Sequence, residues 1–248
     1  MRITLAFIVL MLTSFAQAAS LEINIHDKEK LQRGAKFFMN YCSGCHSLEY
    51  MRYNTMAMDL GLTSFDGKVD SDLLTNNLIF TKSTIYDPIK ISMPPEDARQ
   101  WFGIVPPDLS LISRVRGASW LYNYFRGFYA DPSRSFGTNN ILFPQVAMPN
   151  VFAPLVGIMI ASPHAQLESP EDLRLAIPGK ISEPELDSHL EDLITFLVYV
   201  GEPARLVRYK LGIFVIVFLI VFFLFANALK NWYWRRLKSS DKFSRSQT

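Results

Sequence analysis

Nineteen residues without a charge, Leu211 to Leu229 ("LGIFVIVFLIVFFLFANAL"), constrain this chain more than anything else in it. The run has no polar face, so it cannot lay one side on a soluble core and keep the other in water. As a helix at ~1.5 Å per residue it reaches ~28 Å, enough to cross the hydrocarbon of a bilayer. Lys210 and Lys230 bracket it, Trp232, Tyr233 and Trp234 form an aromatic belt, and Arg235, Arg236 and Lys238 follow. Basic flanks stay on the cytoplasmic side, so residues 208–229 are expected to be a transmembrane anchor and 230–248 a basic cytoplasmic tail. The 49% hydrophobic content of the chain agrees with a membrane segment.

The other end is built differently. Arg2, the apolar run Ile3 to Phe15, and Ala16-Gln17-Ala18 are the n-region, h-region and A-x-A site of a secretory signal. The apolar run spans only ~20 Å as a helix, too short for an anchor. Residues 1–18 are therefore expected to be cleaved, leaving 19–207 as a domain outside the cytoplasm. That domain carries 22 Asp/Glu against 16 Lys/Arg, a formal −6, while 230–248 carry six basic groups against Asp241. Nine of the acids lie between Glu168 and Glu202, with only Arg174 and Lys180 in the same stretch. An acidic domain of this kind attracts a basic partner and not nucleic acid.

Both cysteines fall in "YCSGCHSLEY", residues 41–50, spaced C-x-x-C and followed at once by His46. Outside the cytoplasm a disulfide is the ordinary use of two cysteines. A thioredoxin-like motif wants a strand before it, and here "DKEKLQRGAKFFMNYC" places Leu31, Ala35, Phe38 and Cys42 at helical spacing behind a candidate N-cap, Asp27. A zinc site would need a second pair of ligands. The remaining reading is covalent haem: Cys42 and Cys45 add to its vinyl groups and His46 is delivered to the iron. A sixth ligand could come from Met93 in "SMPPED" or Met148 in "FPQVAMPN". A proline follows each and favours extended backbone. Spacing alone does not separate the two.

The quoted motif, with "CSGCHSLEYMRY", "PPDLSLISRVRG", "NNILFPQVAMPN" and "GEPARLVRYKLG" in this order, resembles the cytochrome c1 family, haem subunits of the cytochrome bc1 complex. The resemblance extends over nearly all of the mature chain. It implies one covalent haem c, with His46 and Met148 as the metal ligands, and Arg116 and Tyr122 against a haem propionate, Arg114 being a weaker candidate. A buried carboxylate wants such a charge-assisted partner. It also implies cytochrome b, the Rieske iron–sulfur protein and a cytochrome c acceptor as partners, in a dimeric respiratory complex. Electrons would pass from the Rieske protein to cytochrome c, with no bond chemistry in this subunit. The chain departs from the mitochondrial pattern where "ARQWFGIV" (98–105) replaces an Ala-Asn-Asn-Gly stretch, as in a shorter bacterial version of the family. Two other readings are a membrane-anchored haem sensor, for which nineteen residues after Leu229 are short of an output domain, and a cytochrome serving a different oxidase or dehydrogenase.

The expected fold is mainly α: a c-type cytochrome-like haem domain with loop insertions and one C-terminal transmembrane helix. Helices are expected at about 27–41, 110–129 and 183–200, the last with Glu183, Glu185 and Asp187 suiting its dipole. Residues 131–163, rich in Pro, Gly and Asn, are expected to be loops.

Overall fold

Helix α1 (Lys28–Tyr41) begins where Asp27 leaves the helical region and accepts a hydrogen bond from Lys30 N at 3.0 Å, the N-cap expected from sequence. Its apolar residues recur every three or four positions, so Leu31, Ala35 and Phe38 fall on one face and are buried. That face lies on α8 (Glu183–Gly201), whose Leu193, Phe196 and Leu197 are buried with it. The rings of Phe38 and Phe196 sit 5.8 Å apart, and burying each is worth about 1.5–3 kcal/mol. Gly34 lets the two helices touch. A Cβ there would stand 2.1 Å from Asp192 O and 2.7 Å from Phe196 Cβ. Asp192, only 2% exposed, accepts from Arg33 Nε at 2.6 Å and Nη2 at 3.0 Å, and Lys30 pairs with Glu191 beside it.

The computed structural model describes residues 21–162 and 166–245, with side chains to 237. The expected signal segment, 1–18, lies outside the described residues. After α1, β1 (Leu48–Arg52) pairs antiparallel with β2 (Pro88–Ile89), and α2 (Tyr53–Leu60), α3 (Ser71–Asn77) and α4 (Pro95–Phe102) follow or intervene. The helical stretch expected at 110–129 is two helices, α5 (Ile112–Arg116) and α6 (Ala118–Arg126). Gly117 breaks them apart at φ 84°, a backbone angle that costs glycine little and other residues much. Ser113 Oγ, buried, donates to Leu197 O at 2.9 Å and ties α5 to α8.

Residues 131–163 are less irregular than their composition suggests. Strand β4 (Thr138–Asn140) pairs with β3 (Phe128–Ala130), and a short helix α7 (Ala153–Val156) leads into β5 (Gly157–Ala161), which pairs antiparallel with β6 (Leu173–Pro178). Strands of three to six residues are too short to impose a readable alternation. Helices still account for about 51% of the structure, and the class is mainly α.

The chain divides in two after Gly201. The second unit is one helix, α9 (Arg205–Arg245), beginning three residues before the expected anchor and continuing through the basic tail. Among the described residues it is the one helix long and apolar enough to cross a membrane, and no part of its apolar stretch is buried in protein.

Candidate functional site

The C-x-x-C-H segment is set by the end of α1. Cys42 N and Ser43 N both bond to Phe38 O, at 2.8 and 3.0 Å, and Ser43 Oγ donates to Met39 O at 2.7 Å. The chain then curls so that Cys45 N and His46 N both reach Cys42 O, at 3.0 and 2.9 Å. Two turns therefore bring both sulfurs and the imidazole to one place. The thiols are free, and burial pushes the pKa of Cys42 up to about 12, with a smaller contribution from Cys45, and raises that of Cys45. A raised pKa disfavours a thiolate nucleophile at this turn.

His46 is held from behind by "PPDLS" (106–110). Its Nδ1 lies 2.7 Å from Pro107 O, and because a carbonyl only accepts, Nδ1 carries the proton and Nε2 keeps its lone pair. Burial lowers the His46 pKa, against the opposing effects of the Pro107 bond and Asp108, so the ring is neutral. Asp108 fixes the loop: one carboxylate oxygen accepts from Glu49 N at 2.7 Å, the other from Ser110 N at 2.8 Å, and Leu109 N bonds Ser47 O at 2.9 Å.

The segment that carries Met148 is clamped the same way. Asn139 Oδ1 accepts from Asn140 N and Gln145 N, at 2.9 and 2.8 Å. Asn140, 1% exposed, accepts from Leu142 N and Phe143 N through Oδ1 and donates from Nδ2 to Tyr124 O at 2.7 Å. One buried amide thus joins the Met148 loop to α6.

These segments enclose an open cleft whose empty space, mouth included, is about 1310 Å³. Cys42, Cys45, His46, Met148 and Arg116 all line it, while Met93 and Arg114 do not. Its walls are aromatic, among them Tyr41, Phe102, Trp120, Tyr124 and Phe125. Tyr124 Oη donates to Met148 Sδ at 3.4 Å, and burial pushes its phenol up to about 12, so the proton is present. Tyr124 also stacks on Trp120 at 5.0 Å, and the Arg116 guanidinium lies 4.8 Å over the Trp120 ring.

Tyr122 is the expected site residue that the structure places elsewhere. Two positions before Tyr124 on a helix, it turns to the other side of α6. There its hydroxyl donates to Asp187 at 2.8 Å and accepts from Arg126 at 3.0 Å. Arg126 also pairs with Glu183 and Asp187. The acidic start of α8 is therefore offset by a cation from outside the 168–202 stretch, which counting within that stretch missed.

Sequence reasoning also missed Trp120, Tyr124, Asn139, Asn140 and Asp108. The i, i+4 spacing of Arg116, Trp120 and Tyr124 was a usable signal that the sequence reading left unused. The residues present fit a covalently held haem. Two unpaired thiols, an imidazole with Nε2 unspent and a thioether share one apolar cleft, with an arginine in its lining.

The family profile described as the Cytochrome C1 family matches residues 19–237. The chain belongs to the cytochrome c1 family. Cytochrome c1 of Allochromatium vinosum is 42% identical over 87% of this chain and 88% of that protein. A Nitrosomonas europaea protein named as ammonia monooxygenase gamma subunit is 41% identical over 84% of each. The mitochondrial cytochrome c1 haem protein of Kluyveromyces lactis is 24% identical over 86% of this chain and 73% of that protein. Membership of the cytochrome c1 family implies a covalently bound c-type haem and a haem subunit of a bc1 complex.

Proposed function

We propose that this chain passes single electrons from a Rieske iron–sulfur protein to a cytochrome c within a quinol:cytochrome c reductase that also contains cytochrome b. The observation that carries the reading is the gathering of Cys42, Cys45, His46 and Met148 on one apolar cleft in a chain of the cytochrome c1 family. Cys42 and Cys45 would hold one haem through a thioether from each thiol. His46 Nε2 and Met148 Sδ would hold its iron, and a histidine–thioether pair of ligands would favour a raised potential. Arg116 offers a charge-assisted partner to a propionate at the mouth. When bound, the haem supplies one-electron chemistry at its iron. The chain's own residues attach it, orient it and keep water from it. By this reading the haem domain lies in the periplasm of a bacterial inner membrane, α9 crosses once, the C-terminus is cytoplasmic and the complex is a dimer.

Haem should stay on the chain through denaturing electrophoresis and acid–acetone extraction. Release of all the haem by that extraction would refute the attachment. Extraction in mild detergent should bring cytochrome b and a Rieske protein along. The relative named as a monooxygenase subunit favours one second reading, a membrane cytochrome serving a different oxidase or oxygenase. Co-purification with such an enzyme, in place of cytochrome b, would select it.

A further inference from the structure

We infer that Tyr124 sets the potential of this centre through its hydrogen bond to the Met148 sulfur, an inference that rests on the reading just given. The 3.4 Å contact is an ordinary hydrogen-bond distance for a hydroxyl and a thioether. A thioether sulfur has two lone pairs, so one can accept from the phenol while the other stays free for a metal. A donor on the sulfur withdraws electron density from it. Ferric iron depends on that density more than ferrous iron does, so the bond favours the reduced state and raises the potential.

A weak hydrogen bond matters only if its donor is held in place, and Tyr124 is held on three sides. Trp120 stacks on it with planes 14° apart, and Phe128 packs against it in an edge contact at 5.2 Å. Its backbone oxygen is taken by Asn140, the residue that also pins the loop leading to Met148. Donor and acceptor are thus referred to the same buried amide. Tyr124 acts on the iron only through Met148 and is a positioning residue. Tyr122 supplies the comparison within the same helix, because its hydroxyl is spent on Asp187 and it does not line the cleft.

The test is an optical redox titration of the full, haem-loaded chain in detergent, with Tyr124→Phe and Tyr122→Phe beside the parent. Tyr124→Phe keeps the ring and its stacking and removes only the donor. The ferric–ferrous equilibrium should move toward ferric by about threefold to tenfold, the worth of one modest hydrogen bond, tenfold being about 59 mV for a one-electron couple. The sulfur-to-iron band in the near infrared should persist, and Tyr122→Phe should leave the potential where it was. An unmoved potential in Tyr124→Phe with that band intact overturns the inference alone, as does an equal shift in Tyr122→Phe. A parent without the band brings down the Met148 reading and this inference with it. Should Tyr124→Phe fail to hold haem, the parent decides: its iron–sulfur stretch should shift between H₂O and D₂O, and an unshifted stretch overturns the inference.

Discussion

Replacing Gly34 with alanine should destabilise the haem domain and disturb the site, although alanine is the better helix former. The added Cβ would stand 2.1 Å from Asp192 O, 2.7 Å from Phe196 Cβ and 2.8 Å from Asp192 C. Ordinary contact begins near 3.4 Å, so α1 and α8 must part by more than 1 Å, and the nearest atoms are backbone that cannot swing aside. Overpacking of this kind costs about 1–3 kcal/mol, and the blocked geometry places it at the upper end. Helix propensity returns about 1 kcal/mol, leaving a net loss of about 2 kcal/mol. In a domain of this size that lowers Tm by roughly 4–8 °C. Because α1 ends at Cys42, its displacement also moves the C-x-x-C-H turn away from Pro107 O. Gly34→Ala should then weaken the sulfur-to-iron band before unfolding. Gly212→Ala, in α9, is the control, since a Cβ there meets nothing within 4 Å. The assay is thermal unfolding of the full chain in detergent, followed in the visible and near infrared. A Gly34→Ala protein as stable as the parent, or more so, would mean that the close approach of α1 and α8 does not exist.

Met148→Leu should open the ferrous iron to carbon monoxide and lower the potential sharply, because the axial ligand is the protein's main lever on it, whereas Met93→Leu should do neither. The opposite pattern in a carbon monoxide titration would reverse the ligand assignment. Asp131 is held below the usual carboxylate range by Ser133 and Asn139, so it stabilises the Met148-bearing loop above the unfolded carboxylate pKa of about 4 and loses that effect as pH falls through its lower folded value. The near-infrared band should therefore fade at acid pH, and at a higher pH in Asp131→Ala; an unchanged acid midpoint would exclude Asp131 from holding the loop. Arg126→Gln should free Glu183 and Asp187 and make electron transfer to a basic acceptor fall more steeply with ionic strength, screening acting over ~8 Å at physiological salt. Stopped-flow rates that are flat in salt for both proteins would mean the face steers nothing.

What could be read from sequence was whatever a local pattern carries. Asp27, the α1 stripe and the uncharged 211–229 run are each written in adjacent or helically spaced residues, and the helices at 28–41, 183–201 and 205–245 follow from them. The thiols, His46 and Met148, which line one cleft, are marked in sequence by a short motif or a family resemblance. Long-range choices were not. Nothing near Tyr122 in the chain says that a glycine five positions earlier will redirect the helix, or that Asp187, sixty-five positions on, will take its hydroxyl. The same holds for the acidic stretch. Counted along the chain it is nearly bare of cations, yet in space Arg126, Arg33 and Lys30 come from α6 and α1 to pair with Glu183, Asp187, Asp192 and Glu191. Among the described residues Glu185 pairs with His189, at 4.0 Å. A surface that steers a partner must be judged on the charge left after such pairing, which sequence cannot supply.

On the reading proposed above, His46 and Met148 would be tuned in opposite directions by groups that sequence did not single out. Pro107 O accepts the Nδ1 proton of His46 and so leaves more electron density at Nε2, which favours a ferric iron. Tyr124 donates to Met148 Sδ and takes density away, which favours a ferrous one. Both groups sit on segments fixed by backbone hydrogen bonds from buried or bracketing side chains: Asp108 behind Pro107, and Asn140 behind both Tyr124 and the Met148 loop. The cleft wall itself stays largely apolar, so water does not level the two effects and each keeps the strength that low dielectric gives it. A change at either rear support should then move the potential without touching a ligand. The signs differ: loosening Asp108 weakens the push on His46 and raises the potential, and loosening Asn140 weakens the pull on Met148 and lowers it.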